Sequence, residues 1–249
     1  MLIVGVTAGS LLALASCGGT SSTNASGASP TGTASSATPS HSPAAQSTTG
    51  QSPAPGSQRP AQAPPAGYRW FGSSAQRLWL AVPKDWTALD LSKISVSAAV
   101  REASLKAVAT SALRADFRNL KQRHALVISD PASAVNSPNQ FATTANVFCN
   151  PTVFLPGLGV VDALDSTIKA EYAKIGAHLV RLKNTKASSK EVVITSELTA
   201  QTSGGYTVTE IQVADLTSQS RLCELTLSTD QPAVYLHTMK KIGATLHAG

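Results

Sequence analysis

The thiol of Cys17 is the side chain whose surroundings define its chemistry most sharply. Leu14, Ala15 and Ser16 precede it, so a large aliphatic and two small residues lead into a cysteine. That pattern presents a thiol for transfer of a diacylglycerol through a thioether, after which cleavage leaves the lipidated cysteine as the first residue. Leu2 to Ala15 supplies the apolar run such a signal needs, at a length short of the roughly 20 residues that span a bilayer. Residues 1–16 are therefore predicted to be a lipoprotein signal peptide. Cys17 is the expected lipidation site, holding the chain to the outer face of a cell membrane. No Lys or Arg opens the run, which points to an initiation site upstream of Met1.

Two further cysteines, Cys149 and Cys223, lie in strand-like stretches (Asn146 to Cys149 and Leu222 to Leu225). Outside a membrane, two thiols in one domain most often pair; two separate thiols are the alternative. A bridge closing a loop of about 75 residues would stabilise the fold by roughly 4 kcal/mol on the chain-entropy account. A third cluster is basic. Between Val96 and His124, Arg101, Lys106, Arg114, Arg118, Lys121 and Arg123 face only Glu102 and Asp116. Leu105, Ala109, Leu113, Phe117 and Leu120 recur at helical spacing, so the segment is predicted to be a helix with a buried stripe. Arg114, Arg118 and Lys121 share another face. That face is either a surface for anionic lipid, teichoic acid or an acidic partner, or simply a solvated one.

Catalytic patterns are missing. Neither Gly-x-Ser-x-Gly nor His-Glu-x-x-His occurs, so no nucleophile elbow or helical zinc pair is encoded. His124, His178, His237 and His247 are too scattered to form a local ligand pair. Asp162 and Asp165 are explained by the first turn of a helix, whose dipole favours negative charge. Gly157-Leu158-Gly159 is the turn before that helix. No metal, no cofactor and no enzymatic activity are expected. Nucleic acid is not an expected partner of an exported chain without interleaved aromatics.

These residues are placed by a chain of two characters. From Gly18 to Ala66 it is almost wholly Ser, Thr, Ala, Gly, Pro and Gln, with Arg59 as its single charge. It lacks the apolar surface to offset the entropy of ordering, so residues 17–66 are predicted to be a disordered tether. Residues 67–249 have the length of one domain. With Arg59 outside it, the formal charge of +6 becomes +5 for this domain.

Within it, Tyr68–Phe71 and Leu78–Val82 are predicted to form a hairpin, followed by the basic helix. Strands follow at Ala125–Ile128 and around Val147–Cys149, with a loop from Asp130 to Ser137 between them. A helix from Val160 to Gly176 is expected to bury Val161, Leu164, Ile168, Tyr172 and Ile175. Three strands come next, at Glu191–Thr199, Tyr206–Ala214 and Leu222–Leu227, the first two joined through Gly204-Gly205. A last helix is expected to be capped by Asp230 and stopped by Gly243. Short turns between consecutive strands argue for an α+β fold, a mainly antiparallel sheet covered by helices.

The signal, the tether, the Val82-Pro83-Lys84-Asp85-Trp86 stretch after the first hairpin and the late strand meander resemble the LpqN/LpqT-type lipoproteins of actinobacteria. That resemblance covers most of residues 67–249. It implies a PsbP-like α/β/α sandwich in which Trp86 packs onto the sheet, and a non-enzymatic role in binding an envelope partner. Trp86 and the basic helix face are thus the candidate surfaces for an envelope protein or small ligand. The expected function is that of a membrane-anchored binding or adaptor module. Alternatives are an envelope hydrolase or transferase with a site assembled only in the fold, and a small-ligand carrier.

Overall fold

The computed structural model describes residues 59–102, 111–151, 165–166, 168–170, 172–187, 191–202, 205–217 and 219–248; at 100, 111–116 and 184–187 it describes the backbone alone. The signal and the tether as far as residue 58 lie outside the described residues, and residues 59–66 hold no helix or strand.

Strands rich in apolar residues at alternate positions must be covered on the face those residues share. Seven of them form one sheet in the order β3-β4-β5-β9-β8-β7-β6, with every neighbouring pair antiparallel. They are β3 (Thr87–Asp90), β4 (Leu126–Asp130), β5 (Thr143–Pro151), β6 (His178–Ala187), β7 (Glu191–Gln201), β8 (Thr207–Thr217) and β9 (Arg221–Thr229). β8 and β9 are buried at nearly every position, as central strands covered on both faces must be. A smaller sheet, β1-β2-β10, joins the hairpin of β1 (Tyr68–Ser73) and β2 (Leu78–Pro83) to β10 (His247–Ala248).

The front face of the large sheet carries Leu126, Ile128, Val147, Ile211, Val213, Leu225 and Leu227. It packs against Leu78, Leu80 and Val82 of β2, and against Met239 and Ile242 of α5 (Pro232–Gly243). The back face has two apolar patches. Val127 and Phe148 meet Ala99 of α1 (Val96–Glu102) and Phe117 and Leu120 of α2 (Ser111–Gln122). Farther across, Ile194, Leu198, Ala214 and Leu216 meet Ile168 and Tyr172. These two belong to a helix, numbered α4 here, whose described positions fall within residues 165–174. The fold is α+β, a mainly antiparallel sheet with helices on both faces.

Cys149 and Cys223 are direct cross-strand partners in β5 and β9, and they form a disulfide with Cα atoms 4.0 Å apart. The expected hairpin is present, with Tyr68 opposite Pro83.

Several expectations are corrected. Asp130 to Ser137 is not a loop: α3 (Pro131–Asn136) forms there, because the Asp130 carboxylate accepts the Ala132 amide at 3.0 Å and Pro131 fits a first turn. The N-cap of α5 is Gln231, not Asp230; the Asp230 carboxylate instead accepts from Ser137 Oγ and, at 2.9 Å, from Asn139 Nδ2. Gly243 does not stop α5 by a left-handed turn. It is the last residue of the helix, which does end there, and a Cβ at this position would meet Val213 Cγ2 at 3.1 Å, so its role is close packing on the sheet. Ile175 is exposed rather than part of a buried stripe. Strands β3, β6 and β10 were not expected at all. Leu105, Ala109, Val161, Leu164, Asp162 and Gly157–Gly159 lie outside the described residues, as does the side chain of Leu113.

Candidate functional site

The proposed basic surface does not assemble as a set. Arg118 is exposed on α2, and the side chain of Arg114 is outside the described residues. Lys121 turns inward, where its Nζ donates to the carbonyls of Leu91 at 2.8 Å and Ile94 at 2.6 Å. It staples the segment after β3 to α2 and is not presented to a partner. Trp86 is 5% exposed and sits in the front core, its ring 6.2 Å from that of Tyr235. The indole packs on the sheet as expected, and that burial removes Trp86 as a candidate binding surface. Tyr235 donates to Asp130 at 2.8 Å, and burial with that contact pushes its phenol up to about 12.

A groove does open elsewhere on the front face. α5 covers β8 and β9 and leaves the front of β7 and the edge strand β6 uncovered, giving a trough of about 500 Å³. Its floor is apolar, formed by Val193, Ile211 and Val213 of the sheet and Gly243 and Leu246 at the end of α5. Its rim is charged. Lys240 of α5 pairs with Glu197 at 2.8 Å. Arg181, directly across from Glu197, and Lys183, across from Thr195, are exposed and make no ion pair among the described residues. With Glu191 and Glu197 also on the rim, Arg181, Lys183 and Lys240 leave it one positive charge in excess, and an apolar bed beside an excess of cations can hold a ligand that is part hydrocarbon and part anion.

The back face holds a second concentration of polar groups. Cross-strand partners share a face, and two adjacent rows are unusually polar: Asn146, Thr226, Gln212 and Ser196 in one, Ser129, Thr144, Ser228 and Glu210 in the next. All eight are buried. Glu224 extends the seam at its other end, opposite Phe148. Residues 224 and 228 are four apart, so about 13 Å of strand separates Glu224 from the row of Glu210.

Glu210 accepts from Ser228 Oγ at 3.1 Å and Gln212 Nε2 at 3.2 Å, while Tyr172 of α4 donates to Gln212 at 2.6 Å. Burial pushes Glu210 up to about 7 against those two bonds. Burial likewise pushes Glu224 up to about 7, opposed by the charge of Arg123. Burial also raises Tyr172. Sequence reading passed over these residues because polar side chains at every second strand position ordinarily mark a solvated face; here the same period runs through the interior.

Among the described residues no three His, Cys, Asp or Glu side chains gather to hold a metal ion, and no helix is long and apolar enough to cross a membrane. No protein-family model matches the chain, and no curated protein matches it. Among solved structures the chain is similar to the solution structure of cyanobacterial PsbP (CyanoP) from Synechocystis sp. PCC 6803, with 12% sequence identity and a TM-score of 0.42, over 74% of this chain and 94% of that one.

Proposed function

We propose that the chain is an extracytoplasmic lipoprotein of the LpqN/LpqT type, held to the outer face of the membrane through Cys17, whose domain binds an amphiphilic anion. The trough beside α5 carries the second half of that reading. Its apolar floor suits a hydrocarbon chain, and the Arg181 and Lys183 side chains on its rim suit a carboxylate or phosphate head. The disulfide supports the compartment, since such bonds persist where the surroundings are oxidising. The lipobox and the tether composition support the anchor.

Titration with dodecyl phosphate, followed by native mass spectrometry, tests the trough. We expect one equivalent to bind, and Arg181→Glu/Lys183→Glu to weaken it at least tenfold, about 1.4 kcal/mol or more. Equal binding of dodecanol, or an unchanged affinity in the charge-reversed variant, would remove the anionic ligand from the proposal. The anchor is tested by fractionation: Cys17→Ser should move the protein from the membrane pellet to the soluble extracytoplasmic fraction. A pellet-bound Cys17→Ser protein would mean that something other than the lipid holds it.

A further inference from the structure

The back-face seam is independent of the trough and is not used by the function proposed above. Its acceptors are unevenly satisfied. Both carboxylate oxygens of Glu224, the Oδ1 of Asn146 and the Oγ of Ser129 are buried and accept no hydrogen bond among the described residues. Buried polar atoms in folded proteins almost always have partners, because desolvation without one is costly. Ser129, Asn146 and Glu224 step diagonally across β4, β5 and β9, on the face they share. They lie between the patch under α1 and α2 and the patch under α4.

An ionised carboxylate and an amide oxygen only accept, so a donor is what would match Glu224 and Asn146. Charge narrows the class. The domain is basic as a whole, yet the seam carries two carboxyls. The described charged or titratable groups whose fields reach Glu224 or Glu210 are Arg123 beyond α2 and Tyr172 of α4. Arg123 lies over the Phe148 ring, 4.8 Å from its centroid.

We propose that the Glu224 end of this seam is a binding site for an organic ammonium ligand, anchored on Glu224 and received by Asn146, its diagonal neighbour on the adjacent strand. An ammonium carries three donors and a positive charge, matching the two carboxylate oxygens of Glu224 and the amide oxygen of Asn146 beside them. Where Glu224 holds its proton, binding displaces it, so affinity rises with pH through the neutral range.

Calorimetric titration of the full chain at pH 8 with ethylammonium, and with ethanol as its neutral counterpart, tests the site. Saturable binding of ethylammonium with no response to ethanol is expected. Glu224→Gln should lower the affinity at least tenfold, while Glu224→Asp keeps part of it. The Glu224→Gln protein should melt no lower than the parent at pH 8, because it loses a buried charge rather than a contact, so lost binding would not reflect lost folding. A Glu224→Gln protein that binds as tightly as the parent, equal binding of ethanol, or no saturable binding would overturn the proposal. Arg181→Glu/Lys183→Glu, on the opposite face of the sheet, should leave ethylammonium binding unchanged.

Discussion

The domain is expected to be markedly less stable at pH 8 than at pH 5. Glu210 and Glu224 are both pushed up to about 7, chiefly by burial, whereas each titrates near its ordinary value once the chain unfolds. The folded state therefore binds extra protons between roughly pH 4.5 and 7. A raised carboxyl contributes stability that is fully present below that window and lost as pH rises through it. Each group accounts for on the order of 2–3 kcal/mol across the interval. Glu210 resists the shift through Ser228 and Gln212, and Glu224 through Arg123, so neither effect is the full cost of burying a bare charge. Urea unfolding at a series of pH values would show the slope, and Glu210→Gln/Glu224→Gln should flatten it. Equal stability at pH 5 and pH 8, or an undiminished slope in the double variant, would mean that these carboxyls ionise freely.

Removing the Cys149–Cys223 bridge should lower stability by roughly 2–5 kcal/mol, the range for a disulfide in a domain of this kind. The bond joins neighbouring strands, so the folded state already holds the two residues together through the β5–β9 ladder. Its effect falls mainly on the unfolded chain, where it closes a separation of 74 residues. Cys149→Ser/Cys223→Ser should unfold at lower urea with a larger m-value, since its unfolded state expands further. Parent protein treated with reductant should match the variant. If parent and double variant unfold at the same urea concentration, the bridge contributes nothing.

Much of this architecture was legible in the residues. The β1–β2 hairpin, the β7–β8–β9 meander and the pairing of Cys149 with Cys223 follow from alternation, from the turn residue Gly205 and from two thiols in one domain. β6 escaped because His178 to Ala187 is charged and breaks its register on β7 at two places, which blurs the strand period while suiting an exposed edge. β10 escaped because two residues carry no period at all. Asp230 looked like a cap because its type and position were right, yet Ser137 and Asn139 reach it from 93 and 91 residues away. The candidate sites were the least legible part. Trp86 and Lys121 have binding chemistry as residue types, and tertiary packing uses both internally. The polar seam is the reverse case: Glu210, Gln212, Thr226 and Ser228 have the pattern of a wet strand face, and only the helices above them make that face dry.

The small sheet brings both ends of the domain to one corner. β1 and β10 flank β2, and Pro60 to Pro65 share a recess with Ala244 to His247, where Trp70 donates to the Gln62 carbonyl at 2.8 Å. Mechanically, a pull between the two ends meets the two-residue pairing of β10 on β2 first. Tension at the corner would thus peel a short flap and lift α5 while the disulfide-linked strands behind it remain slack.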